Sequence, residues 1–516
     1  MENLGGADFP VRERRSPAPQ SVQPATPSRT TPWLWAVLAA YGVVLFVLVG
    51  AAPGGSDGSG YFNEARLFSH FRIHEPLRTL PDIPARVARP FLYNPLGYRP
   101  AVDSSALLVP TYSPGLPLML VVAARAVGWR HAGDLVLLLH SLAGLALTYA
   151  LGRRLGLSQC WSLAGVVLLA ASPLYLFMSL WAMSDVPAMV WVTAAVIASW
   201  KSRERANWAL VAGLCAGVGF LVRPSNFLIA IPMLIAIGPS PWRLLLATAG
   251  GLPGVAVWMA INNSAYGGYL QNGYGAIGGE FHASLVPGTL GFCLRWLPLV
   301  LSPIVIMAPA ILAFLGTRTR VAAALAAWAA AYIAFYAPYR WTHEDWWFLR
   351  FLLPAAPALL VAALIVLQRT SESLRGRLTG ISRGVLLSVL LLSAIWVEAR
   401  HIRPLHAWSI GHGEEKYGRI ADWLKANAPG NSVVIAEQFS GATYYFTNFV
   451  LIRSDELDHG TADQVRKAIH SEGRPVYAVE FPSEQNFVKE LPGKWVRAMS
   501  IEDVEIWRGN WDNPGS

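Results

Sequence analysis

Between residues 33 and 400 the chain is a succession of apolar runs separated by short polar connections, and no water-soluble core can absorb so many. The first run covers 33–50. The others cover 113–128, 133–151, 160–181, 186–200, 208–222, 227–237, 244–261, 286–314, 321–337, 351–367 and 384–397. Several fall short of the roughly 20 residues that a straight bilayer span wants. Short helices flanked by Pro are tolerated where they pack inside a bundle. With 54% hydrophobic and only 14% charged residues, the chain also lacks the charge that a soluble protein of this length would carry. The expected fold is a polytopic α-helical membrane protein of about 11–13 transmembrane helices.

The net charge of +9 would suggest nucleic acid in a soluble protein. Here the basic residues sit in the N-terminal tail (Arg12, Arg14, Arg15, Arg29) and in short connections such as Lys201 to Arg205, Arg318 to Arg320 and Arg375 to Arg377. Cytoplasmic loops collect Lys and Arg in this way, so no nucleic-acid partner is expected. Cys160, Cys215 and Cys293 lie in or beside apolar runs, with neither metal-ligand spacing nor an obvious disulfide pairing. Residues 1–32, rich in Pro, Ser, Thr and Gln, read as a disordered cytoplasmic tail. The run after it could be a signal peptide ending at Ala51-Ala52, but its length and long leading tail favour an uncleaved anchor.

Counting back from the C-terminus, basic loops at 201–205, 317–320 and 369–383 in the cytoplasm put Asp185, the loops 262–285 and 338–350, and everything after 398 on the outer side. Counting forward from a cytoplasmic N-terminus, loop 51–112 is also outside, but one crossing is then left over. The simplest repair splits 160–181 at Ser172-Pro173 into two short crossings or a re-entrant hairpin, giving about 13 crossings. It leaves Arg153-Arg154 on the wrong side.

Residues 411–510 read as a small extracytoplasmic α/β domain behind the transmembrane domain of 33–400. Helical spacing over 414–427 ends at a Pro-Gly turn, strands are expected at 432–436 and 475–480, and a helix at 461–471 lies between them. Nothing in this segment looks catalytic.

Candidate chemistry gathers on the outer side. Asp57 lies in a Gly- and Ser-rich stretch just past the first run, followed by Tyr61. An acid there can meet a substrate whose tail stays in lipid, or can cap a helix beginning near Tyr61. Tyr112 precedes the Pro114-Gly115-Leu116-Pro117 entry to a run, where it can serve as an interface anchor. Asp185 stands at a helix mouth, as a cap or as part of a pocket. Arg223, between two apolar runs and before Pro224, needs a polar cavity or an acidic partner. The glycine-rich loop 262–285 carries Tyr266, Tyr269 and Tyr274, which suits sugar or other polar ligands but also an ordinary interface loop. In the stretch 339–354, Arg340 and Arg350 flank three tryptophans on the side away from the basic excess, where guanidinium groups could hold a lipid phosphate. His343, Glu344 and Asp345 are consecutive, and consecutive residues rarely converge on one metal ion.

In this order, Asp57 with Tyr61 and Ala65, Tyr112 to Leu118, Ser184 to Pro187, Leu221 to Pro224 and Arg350 to Pro354 resemble the GT-C superfamily of membrane glycosyltransferases. The likeness is to the bacterial branch of protein O-mannosyltransferases and lipid A aminoarabinose transferases, and it covers residues 33–400. The resemblance implies transfer of one sugar from a polyprenyl-phosphate donor to a lipid, glycan or protein acceptor at the outer face of a bacterial plasma membrane, usually with inversion. It implies Asp57 as general base, Arg350, Arg223 and Arg340 steadying the phosphate, and Asp185, Tyr61 and Tyr112 shaping the pocket. No cofactor or metal is called for. Gly58 stands where protein mannosyltransferases carry the second acid of an Asp-Glu pair, which weakens a protein acceptor, and loop one shows no lipid A transferase signature either. A flippase for lipid-linked saccharides and a non-catalytic envelope assembly protein are the other readings. A transporter should show internal repeats or polar mid-span residues, and neither is evident.

Overall fold

The computed structural model describes residues 32–50, 52–83, 91–275, 277–377, 379–484 and 486–510. The tail with Arg12, Arg14, Arg15 and Arg29, and Ala51, lie outside the described residues. The first run is helix α1 (Pro32–Leu48), and loop one opens with helix α2 (Ser56–Ser69). Three short antiparallel strands follow, β1 (Glu75–Pro76), β2 (Tyr98–Pro100) and β3 (Leu107–Pro110), ordered β1-β3-β2. Then come α3 (Gly115–Val127), α4 (Ala132–Leu155), α5 (Gln159–Ala171), α6 (Pro173–Leu180), α7 (Asp185–Lys201) and α8 (Asn207–Val222). A 3₁₀ turn (Pro224–Ile229) leads into α9 (Ala230–Ile237), α10 (Pro241–Tyr266) and α11 (Val286–Val300). A 3₁₀ helix (Pro303–Phe314) precedes α12 (Leu315–Tyr336), another (Trp346–Ala355) precedes α13 (Ala356–Ser373), and α14 (Gly380–Ile402) ends the apolar part.

Contacts sort the helix ends onto two faces. Arg154, at the end of α4, donates to the Trp200 carbonyl at 3.1 Å and pairs with Glu204, which puts the α4 and α7 ends together. Gln368 near the end of α13 accepts from the Ser158 N–H at 2.9 Å on that same face. Gly238 after α9 faces the guanidiniums of Arg203 and Arg320 there as well. On the other face, Gly115 packs on the Val222 backbone, the Tyr266 hydroxyl donates to the Pro110 carbonyl at 2.6 Å, and Arg350 lies over Trp181 just past α6.

These contacts correct the expected course of the chain at two places. The α5–α6 pair is bent by 62° at Ser172-Pro173, yet it runs from the Gln368 face to the Trp181 face and so makes one pass, not two. The run that fails to cross is 113–128. Helix α3 lies along α2, with Tyr112 ahead of it against Ser56 at 2.9 Å and Trp129 behind it under Arg66. Its 13 residues reach about 20 Å, the length of α2 beside it. Arg153 and Arg154 thereby fall on the same face as the other basic connections. The run 286–314 is broken at Leu301-Ser302, but its ends still lie on opposite faces: Phe281 bridges Tyr339 on one, and Arg320 lies by Gly238 on the other. It therefore makes one pass. Among the described residues the alternation closes with eleven passes, the lower end of the expected range.

The C-terminal segment is an α/β unit: α15 (Ile410–Asn427), β4 (Val433–Ile435), α16 (Ser440–Phe446), β5 (Val450–Ile452), α17 (His459–Ser471), β6 (Val476–Glu480), β7 (Lys494–Ile501) and β8 (Val504–Asn510). Its sheet has the order β5-β4-β6-β8-β7, with the first three parallel and the closing β7–β8 hairpin antiparallel. The short strands β4 to β6 are wholly buried, as expected of a parallel core covered on both faces. The unit sits on loop one. The Asn63 amide donates to the Gly441 carbonyl at 2.9 Å, the Arg453 N–H donates to the Leu92 carbonyl at 2.7 Å, and Arg78 stacks on Tyr444 at 4.1 Å.

Candidate active site

Helix α2 starts earlier than the sequence suggests, at Ser56. Gly55 precedes it at φ +56°, a conformation that side chains other than Gly rarely adopt. Asp57 therefore lies inside the first turn and does not cap a helix starting near Tyr61. Asp57 Oδ1 accepts from the Tyr112 hydroxyl at 2.6 Å, and Oδ2 accepts from Arg350 Nη2 at 3.0 Å.

Arg350 comes from the 3₁₀ helix before α13, which holds it 7% exposed under the rings of Trp181, Trp347, Phe348 and Phe351. Its Nη1 is 3.9 Å from Asp185 Oδ2. Asp185 is the first residue of α7, completely buried, and its Oδ1 lies 2.8 Å from Arg223 Nη2. Arg223 ends α8 because the following Pro224 disfavours the helical region for it, and its φ of −152° and ψ of 113° are extended. Ser184 accepts from both the Tyr61 hydroxyl at 3.1 Å and Arg223 Nη2 at 3.2 Å. Two acids and two arginines thus alternate, Asp57–Arg350–Asp185–Arg223, inside a wall of tyrosines. The Tyr61 and Tyr112 rings lie 4.8 Å apart, and Tyr274 meets Tyr112 edge-on at 6.0 Å. Burial first, and then the charge of Asp57, raise the Tyr61 and Tyr112 phenols well above their ordinary range, so both act as donors.

The charges are close, but their hydrogen bonding is incomplete. The Asp185–Arg223 and Asp185–Arg350 contacts do not have hydrogen-bond angles. Arg350 Nε and Nη1 and Arg223 Nη1 have no acceptor among the described residues. Buried N–H groups of this kind are costly unless an acceptor reaches them. Asp57, 27% exposed, is the member of the alternation most open to solvent.

Five of the six residues expected to join Asp57 converge: Tyr61, Tyr112, Asp185, Arg223 and Arg350. Arg340 does not. It is 57% exposed, stacks on Trp341 and lies 3.9 Å from Glu280, outside the alternation. His343 pairs with Thr289 at 3.2 Å, and Asp345 caps the 3₁₀ helix through the Trp346 N–H. Among the described residues, no group of three or more His, Cys, Asp or Glu gathers as metal ligands. The glycine-rich loop does reach the site, with Gly273 against Thr111 and Tyr274 against Tyr112. Sequence reasoning missed the bridging role of Ser184, although it stands beside Asp185. It also missed Glu414, a buried acid of the C-terminal unit that no local pattern marks.

Residues 130–263 match the family of dolichyl-phosphate-mannose-protein mannosyltransferases. No curated protein matches the chain in sequence. In fold, the chain is similar to the crystal structure of ArnT from Cupriavidus metallidurans bound to undecaprenyl phosphate, at 15% identity and TM-score 0.58, covering 94% of this chain and 99% of that one. It is also similar to the Archaeoglobus fulgidus oligosaccharyltransferase (12% identity, TM-score 0.52, 87% of this chain and 69% of that one). A third likeness is to the arabinofuranosyltransferase AftD from Mycobacteria (14% identity, TM-score 0.51, 92% of this chain and 40% of that one). The family match covers residues 130–263, and the likeness over nearly the whole chain, ArnT included, is a shared fold.

Proposed function

We propose that this protein moves a single sugar from a polyprenyl-phosphate donor to a hydroxyl acceptor, with inversion, at the extracytoplasmic face of a bacterial plasma membrane. The observation that carries the reading is the alternation of charges, in which the solvent-open acid Asp57 is backed by buried arginines with N–H groups to spare. In a single displacement Asp57 takes the acceptor O–H proton, the acceptor oxygen bonds to the anomeric carbon, and the carbon–oxygen bond to phosphate breaks with its electron pair leaving on the carrier. Arg350 and Arg223 meet the developing phosphate charge, with Asp185 holding the two guanidiniums at a fixed distance from Asp57. Tyr61, Tyr112 and Tyr274 offer rings and hydroxyls to the sugar. The C-terminal unit, seated on loop one, restricts which acceptors reach Asp57. The basic connections on the face opposite the site support this orientation. The ArnT structure with undecaprenyl phosphate makes that carrier the first donor class to try.

The test supplies the purified protein in nanodiscs with radiolabelled polyprenyl-phospho-sugars and candidate acceptors. Carrier phosphate is released only with acceptor present, and Asp57→Asn lowers turnover by about 10²–10⁴-fold while the thermal unfolding profile is unchanged. Normal turnover by Asp57→Asn overturns the base assignment. Movement of labelled lipid between leaflets without donor consumption replaces the enzyme by a flippase.

A further inference from the structure

Helix α15 delivers Glu414 to the place where loop one leaves the membrane. Gly411 lies against the Leu48 carbonyl and Gly50 N–H, and Tyr417 lies beside Gly55. Between them, Glu414 Oε2 is pressed on Gly54, where an added Cβ would come within 2.5 Å of it and of Tyr417, and it faces Gly58. This is the turn that launches α2 and aims Asp57. Glu414 is 7% exposed, and its Oε2 has no hydrogen-bond partner among the described residues. The Trp181 indole, which also stacks on Arg350, lies next to it without a well-formed hydrogen bond.

The charges that face Glu414 are few. Asp57 on α2 repels it. On its own helix Lys416, which also pairs with Asp503 at 2.9 Å, attracts it more than Asp57 repels it, and Glu415 and Tyr417 supply no cation. The α6–α7 connection offers only Trp181. Burial raises the carboxyl from its ordinary value of 4.5 to about 8, with Lys416 and then the Trp181 indole opposing and Asp57 adding to the shift.

Resting on the reading of Asp57 as the base, we propose that Glu414 is a positioning residue for it: as a neutral carboxylic acid it seats the 54–58 turn, and its ionisation loosens that seat. The seated chain then binds one proton more than the unseated chain between the two pKa values. The stabilisation it contributes is complete below about 4.5 and is lost as pH rises through about 8.

The experiment is hydrogen exchange of the amides of residues 52–60 in the full-length protein in nanodiscs, wild type against Glu414→Gln at matched pH. The ratio of exchange rates is expected to rise by up to about tenfold per pH unit between about 5.5 and 8 and then to level. Wild-type kcat/KM is expected to fall above about pH 8, and Glu414→Gln to keep its activity there, since the amide stays neutral. Glu414→Ala, which neither fills nor bonds the seat, exchanges fast at every pH. A ratio independent of pH, or equal alkaline losses in wild type and Glu414→Gln, overturns the proposal. Failure of the Asp57 assignment would appear in Asp57→Asn turnover and leave the exchange ratio untouched, so the two failures are separable.

Discussion

Arg350 touches an acid on either side, and what it does there depends on a fork that Lys does not have. One Nη meets Asp57 while the other faces Asp185, 3.0 and 3.9 Å away. Arg350→Lys is therefore expected to lower kcat/KM by at least about tenfold, about 1.4 kcal/mol of transition-state stabilisation, in the donor-consumption assay. Asp185 is the buried counter-charge to both arginines. Removing it alone leaves two guanidiniums facing each other. Asp185→Asn should cost about 3–5 kcal/mol in unfolding experiments, and Asp185→Asn with Arg223→Gln should cost less than the sum of the single changes. Equal additive costs would show that the pair is not coupled. The residue types at these positions are legible in the sequence, because an arginine between apolar runs needs an acid and an acid at a helix mouth needs a purpose. The partnership of Asp57 with Arg350, 293 residues apart, is not.

Helices α8 and α10 show how small residues set an element's place. A Cβ on Gly250 would lie 2.2 Å from the Leu210 carbonyl, and one on Gly254 would lie 2.5 Å from the Gly217 carbonyl. Such close backbone approach is what holds helices together in lipid, where burial of apolar area gives no advantage. Gly250→Val is expected to destabilise the protein by about 1–3 kcal/mol through overpacking. Gly251→Ala, whose Cβ would meet only the Gly213 carbonyl at an ordinary 3.6 Å, should be neutral. Thermal unfolding in detergent compares them, and equal midpoints would refute the role of that contact. Existence and type of these helices follow from apolar run length. The breaks after α5 and α11 follow from Pro173 and Pro303, but whether a break ends a crossing does not, because a bent pair and a hairpin share one local sequence.

At the scale of the molecule, the passes among the described residues number eleven because α3 stays beside α2. The expected repair within 160–181 placed Arg153-Arg154 against the charge rule, and the folded chain removes the conflict by taking α3 out of the membrane. In a background without Cys160, Cys215 and Cys293, an impermeant thiol reagent should label Arg130→Cys from the same side as Lys467→Cys, and Arg205→Cys from the other. Labelling of Arg130→Cys together with Arg205→Cys would restore α3 as a crossing.

Run length, the distribution of Lys and Arg and the turn residues are local quantities. They determined the membrane class, the face of the basic connections at 201–205, 317–320 and 369–383, and β4, α17 and β6 of the C-terminal unit. The β7–β8 hairpin escaped them because its half-exposed strands lack a continuous apolar run. Only the tertiary structure decided which apolar helix stays beside α2 without crossing, which arginine stays outside the site, and that an acid of the C-terminal unit presses on Gly54 before Asp57. Each of these is a contact between segments far apart in the chain. Their energies come from packing and burial, which no local pattern encodes.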